Sequence, residues 1–192
     1  MGTTRAVWIF VFGLTALRLA LIGATQLSPD EAYYWMWAQR PALSYFSKGP
    51  GVAFVIRSST ALFGDNEFGV RFWSPLLGAG TSLLIYYFAQ RLFTSLAGFC
   101  AVAALNATPI FNLGNLVLTI DPLSIFFWAP AFFTFWPALE RSPNFSWCLP
   151  PTGLLIGRRF LCKSTNAMEL IASLTFRRSA PSIPWLFRRF IP

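Results

Sequence analysis

Three charged side chains in apolar surroundings are the groups of this chain best suited to chemistry. Asp30 follows Ser28-Pro29 at an expected helix start, where a carboxylate could act as a general base or bind an acceptor. Lys48 precedes Gly-Pro-Gly, where the backbone can approach a ligand closely, and its ammonium group could serve a phosphate as a point charge. Asp121 precedes a long apolar run. Their joint placement, more than any one residue, indicates a site.

Each of these residues also has a structural interpretation, and the residue types leave both open. Asp30 and Asp121 each suit the first turn of a helix, where acids interact favourably with the positive end of the helix dipole. A single lysine such as Lys48 near lipid headgroups could simply face the lipid. The chemical hypothesis therefore depends on the segments that would bring these groups to one surface.

Residues 28–51 would carry two of these three groups. The segment contains the only adjacent acidic pair of the chain, Asp30-Glu31, together with several tyrosines and tryptophans. The Ser-Pro pair before the acids suits an N-cap and a first helical turn, which predicts a short helix over 30–39. Because Trp and Tyr favour the headgroup level of a bilayer, we expect this helix to lie along a membrane surface.

The composition indicates a polytopic membrane protein. Of the 192 residues, 55% are hydrophobic and only 11% are charged, whereas a soluble domain carries about 25% charged residues. The net charge of +8 is spread along the chain, with no basic run in a soluble motif, so we expect no nucleic-acid partner. Cationic flanks of membrane helices account for the same total.

No metal or cofactor site is expected from the cysteines. Cys100, Cys148 and Cys162 form no Cys-x-x-Cys pattern, and the chain contains no histidine. We therefore expect no zinc or haem centre built from Cys and His. The cysteines are interpreted as small apolar residues inside helices.

Five apolar segments are candidate membrane spans. They cover residues of about 6–27, 71–90, 93–112, 122–139 and 147–170. A further apolar run over 51–63 has about 13 residues, fewer than the ~17 needed to span, and is expected to be a second surface helix. We therefore predict an all-α, polytopic integral membrane protein whose first extracytoplasmic loop, 28–70, contains surface-lying helices.

This arrangement separates the charges by side. Arg5, Arg91 and Arg141 fall on one side of the membrane, as the positive-inside tendency predicts for the cytoplasm. The other side collects the acids and one lysine: Asp30, Glu31, Lys48, Asp65, Glu67 and Asp121. The predicted site therefore lies on the extracytoplasmic face.

Arg18 lies inside the first apolar run. A cation there is costly unless it faces a partner or a polar cavity, which would be a functional or structural reason to keep it. The alternative is that its side chain extends to the interface.

Here the chain resembles the superfamily of dolichyl-phosphate-mannose protein mannosyltransferases and lipid A aminoarabinose transferases, which are membrane glycosyltransferases of the GT-C fold. The order and spacing of the matching motifs fit from residue 5 to about 170. The matching stretches are LSPDEAYYWMWAQ (27–39), YFSKGPGVAF (45–54), LFGDNEFGVRFWSPLLGAG (62–80), YYFAQRLF (86–93), LTIDPLSIFFW (118–128) and GLLIGRRFLCKSTNAMEL (153–170).

The resemblance implies transfer of a sugar, with inversion, from a polyprenyl-phosphate donor to an extracytoplasmic lipid, glycan or protein acceptor. Asp30 would be the catalytic carboxylate that activates or positions the acceptor, and Asp121 would line the same pocket. Glu31 and Tyr34 would support the loop. Membrane lipids would surround the protein, and a bacterial inner membrane is the expected location.

The resemblance also implies the donor contacts. Lys48 would contact the donor phosphate, and Lys163 in the Cys-Lys-x-x-Asn element is a further candidate. Some relatives carry a metal-binding glutamate just before the lysine. This chain has Ser47 at that position and no histidine, so the expectation of no metal stands.

Residues 1–170 correspond to the N-terminal part of the family's membrane domain, while 171–192 form a basic, proline-containing tail unlike it. Arg158-Arg159 stand where relatives have small or apolar residues. Since family members run to several hundred residues, the resemblance implies a truncated form, and a frameshift would explain the tail.

Two other functions stay open from the sequence. One is a non-enzymatic membrane protein or inactive remnant that keeps the fold. The other is a small transporter, whose outer acids would form a substrate entrance. Turnover of a lipid-linked sugar donor separates the enzyme from both.

Overall fold

A computed structural model describes residues 2–43, 45 and 49–140 of the chain. The described residues are helical with no strand, which confirms the all-α class. The helices are α1 (Gly2–Leu21), α2 (Pro29–Gln39), α3 (Gly51–Phe63), α4 (Glu67–Arg71), α5 (Trp73–Leu92), α6 (Ser95–Ala107), α7 (Pro109–Gly114) and α8 (Ile120–Glu140).

The start of α2 follows from its first residues, as the sequence predicted. The Ser28 side chain accepts a hydrogen bond from the backbone N–H of Glu31, and the Glu31 carboxylate accepts one from the N–H of Ser28. This reciprocal capping box satisfies two backbone donors that a helix otherwise leaves unpaired. Glu31, which completes this capping box, also forms the buried ion pair that is described below.

The second short helix, α3, has the predicted bounds of 51–63. It ends at Gly64, whose φ of 85° lies in the left-handed region that favours glycine. Asn66 then caps α4 by accepting a hydrogen bond from the N–H of Gly69 at 2.7 Å. The predicted polar turn between these helices is thus present.

The predicted span over 93–112 contains two helices. They are α6 and α7, and they meet at Thr108, whose ψ of 122° is extended. Pro109 causes the break, because its ring disfavours a helical conformation of the preceding residue and it has no N–H to continue the helix. The proline begins α7 rather than ending a span.

Two other predicted boundaries also shift. The first helix ends at Leu21 rather than at 27, because the residues that follow turn their carbonyl groups toward Arg71. The predicted 71–90 segment begins with the end of α4, and α5 starts at Trp73. The segments 147–170 and 171–192 lie outside the described residues.

The helix α5 is central to the packing. It contacts α1, α6 and α8, while α3 packs against both α2 and α4. The core between α1, α5 and α6 contains Val7, Val11, Ala79, Tyr86 and Val102. A second core under α2 and α3 includes Leu118, just before α8, and Ile120, the first residue of α8. The predicted site therefore rests on residues from both halves of the described chain.

Within the described ranges, α1 is the helix that is long and apolar enough to cross a bilayer by length and composition. Shorter apolar helices are Gly51–Phe63, Ser95–Ala107 and Ile120–Phe133. The other predicted spans stay predictions.

Arg18 lies inside the bundle and is only 4% exposed. Its Nη2 donates to the side-chain oxygen of Asn106 at 3.1 Å and to that of Asn112. Asn106 in turn donates to the Ser82 hydroxyl at 3.0 Å. The arginine therefore has polar partners, and it joins α1 to the break between α6 and α7 rather than extending to an interface.

Candidate active site

Asp30 lies in the first turn of α2 with an exposed side chain. Tyr34 follows one turn later and is 7% exposed. Asp121 lies in the first turn of α8, 91 residues further along the chain. Both acids thus stand at helix N-termini, where negatively charged side chains stabilise the helix.

The environment of Tyr34 brings these groups together. The pKa of the Tyr34 hydroxyl is raised, first because burial disfavours the phenolate and then because the carboxylates of Asp30 and Asp121 repel it. Two carboxylates from distant parts of the chain thus act on one hydroxyl. Both carboxylates are close enough to Tyr34 to raise its pKa, and the roles of the three residues in a site stay predictions.

Glu31 occupies a different position from its neighbour. Its side chain is fully buried and forms a two-pronged ion pair with Arg71: Nε donates to Oε1 and Nη2 donates to Oε2, each at 2.7 Å. The backbone N–H groups of Ser28 and Leu118 also donate to its two oxygens, at 2.9 and 3.0 Å. With both oxygens occupied, Glu31 positions the loop and does not face an acceptor.

The guanidinium group of Arg71 also donates hydrogen bonds to the segment after α1. Nη1 donates to the carbonyl oxygens of Ile22 and Thr25 at 2.8 and 2.9 Å, and Nη2 donates to that of Gln26 at 2.8 Å. The Glu31–Arg71 pair therefore fixes the end of α1, the start of α2 and the residues before α8. Sequence reasoning treated Arg71 only as the flank of a span, and its position within an apolar stretch was the available signal.

The direction of the Glu31 pKa follows from these contacts. Burial would raise the pKa of this carboxyl group. The hydrogen bonds from Arg71, Ser28 and Leu118, together with the positive charge of Arg71, outweigh burial and hold the pKa below its ordinary value. The folded protein therefore favours the ionised carboxylate.

This gives a prediction for acid stability. A lowered folded-state pKa contributes stability above the unfolded-state value of about 4.3 for Glu, and this stability is lost as the pH falls through the folded-state pKa. We expect the unfolding free energy of the protein in detergent to exceed that of Glu31→Gln at pH 7, with the difference shrinking as the pH falls below about 4. Parallel pH profiles of the two proteins would contradict the assignment.

Aromatic contacts hold the segment that follows α2. The Tyr45 ring stacks on Trp37 with centroids 4.5 Å apart, and its hydroxyl donates to the carbonyl oxygens of Trp37 and Arg40. On the other side of the helix, Asp65 accepts hydrogen bonds from Trp35 and Gln39. The C-terminal end of α2 is therefore fixed on two sides.

The two predicted donor contacts, Lys48 and Lys163, lie outside the described residues, as does Ser47. Among the residues that the structure describes, no group of three or more Cys, Asp or Glu side chains could hold a metal ion. The absence of a metal from the predicted site stays a prediction.

A cavity of about 690 Å³ opens beside Asp121. It lies between α5, the α6–α7 break and the start of α8, and apolar side chains form most of its surface. Its volume is within the range of about 300–1,000 Å³ that is common for small-molecule sites. No sequence pattern indicated this cavity, because its walls come from four separate elements.

Comparison with known proteins identifies a family. The family model described as dolichyl-phosphate-mannose-protein mannosyltransferase matches residues 47–189 of the chain. The match includes residues after 170, where the sequence predicts a basic tail unlike the family. That division stays a prediction.

Individual proteins show the same relationship. A lipid A galacturonosyltransferase from Rhizobium johnstonii is 30% identical over 163 residues, covering 83% of this chain and 34% of that protein. An undecaprenyl phosphate-alpha-4-amino-4-deoxy-L-arabinose arabinosyl transferase from Pseudomonas aeruginosa is 31% identical over 162 residues, covering 74% of this chain and 29% of that protein. A protein of the same name from Erwinia tasmaniensis is 27% identical over 182 residues, covering 84% and 31%.

The chain thus spans about a third of the length of these relatives. No solved structure matches it. The matches confirm the resemblance found in the motifs of the sequence.

Proposed function

This chain belongs to the dolichyl-phosphate-mannose-protein mannosyltransferase family, and on that premise we propose that it is a membrane glycosyltransferase. It would transfer a hexosyl or pentosyl group from a polyprenyl-phosphate donor to an acceptor on the extracytoplasmic face, within a GT-C-type bundle of transmembrane helices. A bacterial inner membrane is the proposed location. The relatives named above, which transfer galacturonosyl and aminoarabinosyl groups, support sugar transfer in general.

The observation that carries this proposal is the placement of Asp30, Tyr34 and Asp121. Two carboxylates from separate helices raise the pKa of the buried Tyr34 hydroxyl, and one of them, Asp121, lines a cavity of ligand size. The Glu31–Arg71 pair fixes the start of α2 and the residues before α8 without involving the carboxylates of Asp30 and Asp121. A carboxylate base held on a fixed helix start is what an acceptor needs in order to react.

In the proposed reaction, Asp30 takes the proton from the hydroxyl or amino group of the acceptor. The acceptor atom then bonds to the anomeric carbon of the sugar from the face opposite the phosphate. The bond between that carbon and the phosphate oxygen breaks, and the polyprenyl phosphate leaves with the electron pair. Lys48 and Lys163 would stabilise the negative charge of the leaving phosphate. Tyr34 and Asp121 would orient the acceptor.

The test is direct transfer from the lipid carrier. The protein would be reconstituted in liposomes with radiolabelled polyprenyl-phosphate sugars, both hexosyl and pentosyl, and with lipid A, glycan and peptide acceptors. We expect label to pass from a lipid-linked donor to an acceptor, and no label to pass from the matching nucleotide sugar used as the control donor. Transfer from the nucleotide sugar, or no transfer from any lipid-linked donor, would contradict the proposal.

A further inference from the structure

One face of the helical stretch that leads into α5 lies against the residues before Asp121. Arg71, Ser74 and Gly78 are three and four residues apart in turn, so they lie on the same side of a helix. Phe72, between α4 and α5, has a φ of -47° and a ψ of -42°, so the helical conformation continues from Arg71 into α5. We call the surface formed by these three residues the docking face.

Ser74 binds the turn between α7 and α8, residues 115–119. Its side chain is fully buried, and its hydroxyl group lies 2.6 Å from the carbonyl oxygen of Gly114 and 3.1 Å from that of Val117. The hydroxyl group has one proton, which it donates to this pair of acceptors. Because the two carbonyl groups lie at the end of α7 and within the turn, the hydroxyl group attaches the turn to α5.

Gly78 makes room for the side chain of Asn115, the first residue of the turn. A Cβ at Gly78 would lie 2.0 Å from Oδ1, 2.4 Å from Cγ and 2.8 Å from Nδ2 of Asn115. The amide group therefore lies directly against the backbone of α5, where only glycine leaves space for it. Asn115 is 2% exposed, so this contact is buried.

The same turn is bound from the other side by α2. The backbone N–H of Leu118 donates to Oε1 of Glu31 at 3.0 Å, and Nε of Arg71 on the docking face donates to the same oxygen at 2.7 Å. Asp30 is next to Glu31, and Asp121 follows Leu118 by three residues. The docking face thus contacts the neighbour of one acid and the turn before the other.

On the premise of the proposed function, we infer that Ser74 and Gly78 are positioning residues for Asp121. They dock the 115–119 turn on α5 and so set the place of Asp121 relative to Asp30, which rests on the same face through the buried ion pair. A displacement of about 1 Å in a reacting group can lower a rate about 10²-fold, so this docking acts on turnover as well as on stability.

Gly78→Ala should displace the turn. The added methyl group overlaps the Asn115 amide, whereas alanine itself favours a helix, so a lower rate would come from the turn and not from a weaker α5. We expect the kcat of sugar transfer in liposomes to fall about tenfold or more, with the KM for the donor unchanged. Gly13→Ala is the matched control, because an added Cβ there meets nothing within 4 Å. It should leave kcat and KM unchanged.

Two second substitutions separate positioning from a general loss of stability. Asn115→Ala removes the overlapping amide, so the double variant with Gly78→Ala should regain a kcat within about twofold of Asn115→Ala alone. Nδ2 of Asn115 has no hydrogen-bond partner among the described residues, so this truncation breaks no bond of that atom. In an Asp121→Asn background, Gly78→Ala should cause no further loss, because its effect acts through Asp121.

Hydrogen exchange tests the docking without any substrate. Ser74→Ala removes the hydroxyl group that binds the turn, and we expect the backbone amides of residues 115–121 to exchange about twofold to tenfold faster, the factor for one neutral hydrogen bond. Ser59→Ala is the matched control, because Ser59 is equally buried but its hydroxyl group donates to carbonyl oxygens of its own helix. It should leave exchange in residues 115–121 unchanged.

Unchanged exchange in Ser74→Ala would overturn the inference. Failure of Asn115→Ala to restore the rate of the Gly78→Ala protein would overturn it too, as would an undiminished loss in the Asp121→Asn background. If the unsubstituted protein transferred no sugar, the proposed function would fail, and exchange in residues 115–121 would still decide whether Ser74 docks the turn. Sugar transfer with a normal kcat in Gly78→Ala would contradict this inference and leave the proposed function intact.

Discussion

Asp30→Asn is expected to lower the rate of sugar transfer about 10²- to 10⁴-fold, which is the contribution typical of a general base. The substitution removes the proton acceptor and keeps the size of the side chain. Because Asp30 is exposed in the first turn of α2, α2 should remain folded, with only the small loss of a favourable dipole interaction. The measurement is the initial rate in liposomes at several donor concentrations, where kcat should fall and the KM for the donor should stay near its original value.

Asp65→Asn is the matched control for this experiment. Asp65 is also an exposed acid on the predicted outer face, but it accepts hydrogen bonds from Trp35 and Gln39 at the side of α2. Its replacement should leave the rate close to that of the unsubstituted protein. If Asp30→Asn kept more than about a tenth of the rate, a role as the general base would be refuted. Asp30 would then be only an acid that stabilises the helix start.

Arg71→Met is expected to lower the free energy of unfolding by about 3–5 kcal/mol, the usual cost of removing one partner of a buried ion pair. Glu31 would be left as a buried charge, and the carbonyl groups of Ile22, Thr25 and Gln26 would lose their donors. The measurement is denaturant unfolding in detergent, followed by tryptophan fluorescence.

Arg57→Met tests the same substitution at an exposed position. Within the part of the chain that the structure describes, Arg57 makes one hydrogen bond, to the carbonyl oxygen of Ala38 at 3.2 Å, so its loss should cost less than about 1 kcal/mol. Arg71→Lys should fall between the two variants, because it keeps the charge but cannot reproduce the planar fork that contacts Glu31. Equal destabilisation by the two methionine variants would show that the buried pair does not hold the site together.

Local signals were sufficient for the helices next to the site. The Ser-Pro-Asp-Glu start of α2 contains its own cap, and the apolar run of α3 is closed by Gly64, so both helices are encoded in consecutive residues. The span expected over 93–112 consists of two helices, because Pro109 interrupts the apolar run before its predicted end. In that segment, the local effect of one proline outweighed length and apolarity.

The candidate site was predictable only in part. The resemblance implied that Asp121 lines the same pocket as Asp30 and that Tyr34 supports the loop; in the structure both carboxylates raise the pKa of Tyr34. The partners of Glu31 lie 40 and 87 residues away, and one sequence cannot show which distant groups meet.

The three-way contact at Glu31 also sets an order of events during synthesis. Arg71 follows Glu31 by 40 residues and Leu118 follows it by 87. At translation rates of about 5–20 residues per second, the ion pair becomes available roughly 2–8 s after Glu31 is made, and the last partner only after roughly 4–17 s. The charge of Glu31 can therefore be neutralised by Arg71 before the segment that precedes α8 has been made. The last hydrogen bond to Glu31 forms only after Leu118 is synthesised, so the support of the loop that carries Asp30 is completed in two steps.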